Sequence, residues 1–438
     1  MISSKNKKKT TMCELEKEVT VYINKLLCLQ QQDCKNNHAE LVENLRYLRN
    51  VCARGPLVQS LIATNQYLQE FLHNLLFNTD YYGDEELHKQ VRTITWQLMA
   101  NVIVNNEETQ SLIWHYHGAA ILQMCCNQQK LLDRNVDIGL MIVYNVMKCR
   151  GEALLPYPHV LKAVVNVWRK ILEQKSPLQF EFLHFIFEEF LVKDGRSCVR
   201  SYAQLETEEK LAFLDYLLNY LSHDSPNGQA HTFLLQHISK EFKLKSDCIL
   251  RLSSLKEVDR MKPREAYALL QCIALASGSE MYSQIYATDH SLFLNVSSLL
   301  RCLVQVGKEM EKNIFSPMTK LEEVAPSSGI SADFQAEISY ELKTLLVRCV
   351  ANLLYKNPTN KGYCLDTQLM PALFECTNMD ARNPLMKEWS ILAIRNACEG
   401  CPEIQQVIAN LTSQGPAQND ILNELNLDMG SLRISPGK

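Results

Sequence analysis

Glycine and proline are scarce in this chain, at 15 and 14 of 438 residues. Folds rich in strands use both freely at their turns. The alternation of apolar and polar residues that marks a strand is nowhere sustained either, so the scarcity fits many helices joined by short turns. Long apolar runs are missing too: the longest, such as residues 139–144, fall far short of the roughly 20 residues that a membrane-spanning helix needs. Nor is there an excess of basic charge. With 45 Lys and Arg against 49 Asp and Glu, the net charge is −4, which argues against a nucleic-acid binder that works by broad phosphate neutralisation.

Recognisable catalytic chemistry is absent as well. There is no Gly-rich phosphate loop, no Gly-x-Ser-x-Gly elbow and no His-Glu-x-x-His. Cys398-Glu399-Gly400-Cys401 is a Cys-x-x-Cys, but it lacks the second pair of a zinc site and the βαβ setting of a redox site. It falls at a helix end, where Gly400 suits a cap and Pro402 a new start, and is read as structural. His115 and His117, two residues apart, face different sides of a helix and make a poor metal pair. The expectation is a chain that is no enzyme and needs neither cofactor nor metal. Residues 1–10 are polar and lysine-bearing where a secretory signal would be apolar. The cysteines sit in apolar helical contexts such as Cys28, Cys272, Cys302 and Cys349. A reducing, cytosolic setting with free thiols is therefore expected.

What the chain does contain is one helix, written several times. Hydrophobic residues make up 46% and charged residues 21%, the mix of a folded protein. The length nevertheless exceeds one ordinary core unless the fold grows as a repeat array. Residues 389–401 form an amphipathic helix with Asn396 set into its apolar stripe and Gly400 at its end. Matching asparagines stand at Asn50, Asn101, Asn145 and Asn352. In all five copies the residues three before, two before and one after are apolar: Tyr47, Leu48, Val51; Leu98, Met99, Val102; Ile142, Val143, Val146; Cys349, Val350, Leu353; Ala393, Ile394, Ala397. Nine residues after Asn50, Asn101 and Asn396 come Gln59, Gln110 and Gln405, and Gln59-Ser60-Leu61-Ile62 recurs as Gln110-Ser111-Leu112-Ile113. Neighbouring copies lie 44 to 51 residues apart, near the period of armadillo and HEAT repeats. The fold class that follows is an all-α, armadillo/HEAT-like, right-handed helical-repeat solenoid.

The expected organisation is a disordered basic tail at 1–12, N-terminal and middle repeats at 13–312, and a flexible excursion loop at 313–335 around Pro317, Pro326 and Gly329. C-terminal repeats at 336–411 and a tail with one short helical pattern at 412–438 complete it. Repeat boundaries within 150–335 do not align to the template. The asparagine row supports two readings. An amide on a groove-lining helix offers donor and acceptor to an extended peptide, or it bonds the next repeat's backbone and only holds the stack together. Arg49 and Arg395 add a cation beside the amide at both ends, which suits an acidic segment. The candidate protein-binding residues are Arg49, Asn50, Asn101, Asn145, Asn352, Trp389, Arg395 and Asn396. The expected partners are other proteins, without nucleic acid or membrane span; the oligomeric state, self-association included, stays open. An importin-like transport adaptor is the alternative, although only Trp96 and Trp389 lie near an asparagine where that class carries tryptophan in most third helices.

Three stretches also resemble the ataxin-10 family: Ala351-Asn352-Leu353-Leu354-Tyr355-Lys356-Asn357, Asp380-Ala381-Arg382-Asn383-Pro384-Leu385, and Glu388-Trp389 through Ala393-Ile394-Arg395-Asn396. A weaker N-terminal likeness runs through Leu48-Arg49-Asn50-Val51-Cys52 and from Asn101 to Trp114. One departure is Ala397-Cys398 where the family usually has Leu-Thr. The resemblance implies an armadillo-like, non-enzymatic scaffold of the cytoplasm, perinuclear region included, linked to neuron survival, neurite outgrowth and cytokinesis. Family-implied partners are a G-protein β subunit and the O-linked N-acetylglucosamine transferase.

Overall fold

An apolar stripe along each repeat helix leaves one side to bury and one to expose, so helices built this way pack in layers. A computed structural model describes residues 2–31, 37–78, 85–127, 132–150, 155–223, 228–253, 261–309, 315–317, 341–378, 380 and 383–410. Every regular element among them is helical. The chain divides into two compact units, Met1–Leu205 and Glu206–Lys438. Each is a serial stack of helices, the helical-repeat solenoid architecture that the periodicity predicts.

The first unit contains α1 (Ile2–Gln31), α2 (His38–Val51), α3 (Pro56–Thr64), α4 (Gln66–Phe77), α5 (Glu85–Val102), α6 (Glu107–Cys126), α7 (Arg134–Arg150), α8 (Tyr157–Gln174), α9 (Glu181–Glu188) and α10 (Gly195–Tyr202). An inner row runs α2, α5, α7, α9, each helix packed on the next, while α1, the α3–α4 pair, α6, α8 and α10 form the outer row. The repeat stripe is the inner row's buried side: Leu98, Met99, Val102, Ile142, Val143 and Val146 are all wholly buried. Burial of each side chain of this kind is worth about 1.5–3 kcal/mol. Helix α1 starts at Ile2, so residues that the sequence pattern assigns to a disordered tail are drawn as helix. No proline or glycine interrupts them.

The second unit contains α11 (Thr207–Ser222), α12 (Thr232–Lys245), α13 (Met261–Ser277), α14 (Ser283–Ala287), α15 (His290–Glu309), α16 (Leu342–Leu354), α17 (Pro358–Asp366), α18 (Leu369–Glu375), α19 (Met386–Cys398) and α20 (Pro402–Ala409). Its inner row is α11, α13, α16, α19, backed by α12, α14, α15, α17 and α18. Of the expected excursion loop, residues 315–317 are described. Phe315 is buried, and its carbonyl sits where a Cβ on Gly307 would come within 2.5 Å. Residues 318–340 and the expected tail at 412–438 lie outside the described residues.

Outer helices of the first unit are also tied by polar contacts. The Gln69 amide nitrogen donates to the Ile62 carbonyl at 2.8 Å, which turns its oxygen toward His117 Nε2 at 2.9 Å. His117 therefore donates through Nε2 and accepts through Nδ1, from His73 Nδ1 at 3.2 Å. Burial, with His73 adding to it, pushes the His117 pKa down to about 3. The unfolded chain thus binds one more proton than the folded one across the window from about 6.5 down to 3, so stability is full above 6.5 and declines as pH falls through that window. On the order of 3 kcal/mol is lost between pH 7 and 4. Chemical denaturation of His117→Gln should show a distinctly shallower acid slope than that of the unaltered chain.

Candidate protein-binding site

The inner rows carry the candidate residues, and the structure shows first what most of the asparagines bond. Asn101 Nδ2 donates to the Arg49 carbonyl at 3.0 Å, and Asn396 Nδ2 donates to the Ala351 carbonyl at 2.9 Å. Each acceptor immediately precedes the asparagine of the repeat before. Asn352 Nδ2 donates to the Ala274 carbonyl and to Ser277 Oγ, both at 3.1 Å. Arg49, Ala274 and Ala351 lie in the last turns of α2, α13 and α16, where helix carbonyls lack an intrahelical donor. The amide supplies one from the neighbouring repeat.

The glutamine step works similarly. Gln110 Nε2 reaches back seven residues to the Ile103 carbonyl at 3.0 Å, and Gln405 Nε2 to the Cys398 carbonyl at 2.8 Å. Gln59 instead crosses the stack to the carbonyls of Asn101 and Val104, both at 3.1 Å. Asn145 does not cross: its amide bonds Met141 in its own helix at 2.8 Å.

This register exposes a copy that the sequence reading missed. Ala274 occupies the acceptor position, so Leu275 stands where an asparagine would be, and Cys272, Ile273 and Ala276 are its wholly buried stripe. The apolar triplet was legible; without the polar marker it does not stand out from other apolar helices. Gly278 follows from the same contact, because a Cβ there would lie 2.8 Å from Asn352 Nδ2.

In the first unit, Arg49 is held without a carboxylate among the described residues. Its Nε and Nη2 donate to Asn50 Oδ1 at 3.0 and 2.9 Å, and its Nη1 donates to Gln97 Oε1 at 2.6 Å. Arg49 borders a groove of about 390 Å³ between α2 and α5, with Arg46, Lys89, Gln90 and Thr93 also along it. Trp96 is wholly buried and packs edge-on to Phe77 at 5.7 Å. It is no groove tryptophan, which removes one of the two that the importin-like alternative counted.

In the second unit, Trp389 is half-buried with the Arg348 guanidinium over its ring at 5.1 Å. Arg395, the cation on the same helix, is not its partner. Six residues along a helix place those two side chains on different faces, and the cation comes from the neighbouring helix α16. Arg395 is exposed, as is Ile391 one turn before it. The Cys-x-x-Cys lies beside Cys364, whose thiol burial pushes up to about 12, and the Cys398 thiol is raised by burial as well. Gly400 takes φ +66° and Pro402 opens α20, as the structural reading of this motif expects.

The Asp380 to Leu385 stretch anchors the base of the last repeats. Lys343 Nζ bonds Asp380 Oδ2 at 2.7 Å, both side chains being nearly inaccessible, and also reaches the Phe315 carbonyl at 3.3 Å. Asn383 donates to Asp380 at 3.0 Å and accepts from the Thr344 backbone N–H at 3.3 Å, in the first turn of α16. Removing one partner leaves the other charge buried and unmatched. In thermal denaturation, Lys343→Met and Asp380→Leu should each cost about 3–5 kcal/mol, and Lys343→Met/Asp380→Leu less than their sum. Asn396→Ala should cost about 1–3 kcal/mol by the same measurement, and Asn145→Ala clearly less.

Residues 342–433 match the family model described as the Spinocerebellar ataxia type 10 protein domain, which begins at the first residue of α16. Ataxin-10 of Bos taurus is 24% identical over 395 residues, covering 89% of this chain and 79% of its own length. Ataxin-10 of Homo sapiens is 23% identical over 397 residues, with the same coverage of 89% and 79%. The ataxin-10 homolog of Dictyostelium discoideum is 34% identical over 108 residues, 25% of this chain and 18% of that protein. The domain match takes in the helix with Asn352, the Lys343–Asp380 anchor and the Trp389 helix, and the longer alignments extend the likeness to ataxin-10 over most of the chain.

Proposed function

We propose that this chain is a non-enzymatic scaffold that docks other proteins on the inner face of its helical stacks. One observation carries the reading. Amide-to-carbonyl bonds fix α5 against α2 in the first unit, and α16 against α13 and α19 against α16 in the second. Between those bonds Arg46, Ile391 and Arg395 are exposed, with side chains engaged by no described residue. A fixed surface lowers the ordering cost of association, and a mix of cations with an exposed aliphatic and a half-buried tryptophan suits a protein partner better than a small molecule. By likeness to the ataxin-10 family, the scaffold serves neuron survival, neurite outgrowth and cytokinesis from the cytoplasm, perinuclear region included. A G-protein β subunit and the O-linked N-acetylglucosamine transferase are the first partners to assay.

Affinity capture of the full chain followed by cross-linking mass spectrometry tests this. Cross-links are expected at inner-row lysines such as Lys89 and Lys387, with capture weakened by Arg46→Glu or by Ile391→Asp/Arg395→Glu. Capture that is indifferent to both variants, or cross-links confined to the outer rows, would remove the inner-face reading.

A further inference from the structure

We infer that the groove between α2 and α5 binds an extended protein segment rich in aspartate and glutamate. This rests on the scaffold reading and names the partner chemistry at one stretch of that face. Three cations border the groove, Arg46, Arg49 and Lys89, against one anion, Glu86. The Glu86–Lys89 pair is loose, at 4.0 Å with both side chains well exposed, and contributes little. Arg46 lies one helical turn before Arg49 and is exposed, its side chain engaged by no described residue.

Arg49 is the sharper indication. Among the described residues, every side-chain acceptor it meets is a neutral amide oxygen, two bonds to Asn50 and one to Gln97. Such partners orient a guanidinium and leave its charge unmatched, so the fork is set in place for a carboxylate. Gln90, Thr93 and Gln97 follow at helical spacing on α5 along the same groove. They provide polar side chains beside the cations, and Ile94 is the apolar residue between them.

The charge is also local. The whole chain is net −4, so a cationic groove is not a general property of its surface. Arg92, also on α5, is already paired with Asp133 at 3.6 Å, and Lys148 on the next inner helix, α7, with Glu189 at 3.4 Å. A nucleic acid requires a cationic track that continues along its backbone; an acidic peptide needs one short site and electrostatic complementarity.

Fluorescence anisotropy with the full chain and a labelled polyglutamate peptide of about twelve residues tests the inference. Binding is expected, weaker when salt is raised because the charges are exposed. Arg46→Glu/Lys89→Glu should weaken it about tenfold or more without moving the thermal midpoint. Lys17→Glu/Lys240→Glu, an equal change of charge on the outer-row helices α1 and α12, should leave it intact. The inference is overturned if the unaltered chain ignores polyglutamate, if both double variants weaken binding equally, or if polylysine or an oligothymidylate of the same length binds more tightly. Failure here with inner-row cross-links retained in the capture experiment refutes the acidic-segment chemistry and leaves the scaffold standing; loss of those cross-links as well refutes both.

Discussion

A repeat stack has no central core to close upon, so its geometry depends on whatever fixes one repeat against the next. At three joints of this protein, α2–α5, α13–α16 and α16–α19, that role falls to a single bond type, a side-chain amide reaching the orphan carbonyl near the end of the previous inner helix. Apolar burial supplies most of the attraction between helices, but an apolar stripe tolerates sliding. A carbonyl near a helix end has a fixed position and an unmet need, and only one register lets Asn101 meet Arg49 or Asn396 meet Ala351. Specificity of packing therefore comes from the polar position set into the stripe, while the stripe provides the driving force.

The same economy governs how the stack could recognise another protein. An asparagine whose donor is spent between repeats has less to offer an incoming peptide, so recognition passes to the side chains standing beside it. Arg49 shows the division of labour. Its backbone carbonyl accepts the Asn101 amide while its guanidinium is steered by Asn50 and Gln97. One residue thus joins the framework to the exposed surface. At the far end, Trp389 is reached by Arg348 from the neighbouring inner helix, so the most distinctive side chain of the last repeats is also shaped by the repeat before it.

Much of this was legible in the sequence for a physical reason: a polar residue recurring within an apolar stripe is costly unless bonded, so its recurrence marks repeated geometry. Helical class, the repeat spacing and the ends at Gly400 and Pro402 follow from local chemistry. The α13 copy was hidden because Leu275 carries no polar marker, although its apolar triplet was present. The cation partner of Trp389 was missed because it lies on a different helix, and no spacing rule within one helix finds such a neighbour. Asp380 stands out in the sequence only for its likeness to a family; its role in burying Lys343 depends on a contact across 37 residues. Trp96 shows the converse error, since closeness to an asparagine in sequence says nothing about which side of the helix the ring occupies.

Leu275 has one more consequence, a mechanical one. Helix α13 receives an amide from Asn352 but has none at that position to send toward α11, and the cross-helix bond that Cys272 makes there is a thiol contact to the Leu214 carbonyl at 3.7 Å. Thiols are weak donors, so this joint resists shear mainly through interlocking apolar side chains. Its position is therefore set by the shape of the packed apolar surfaces, whereas α13, α16 and α19 are also keyed to one another by directional amide bonds.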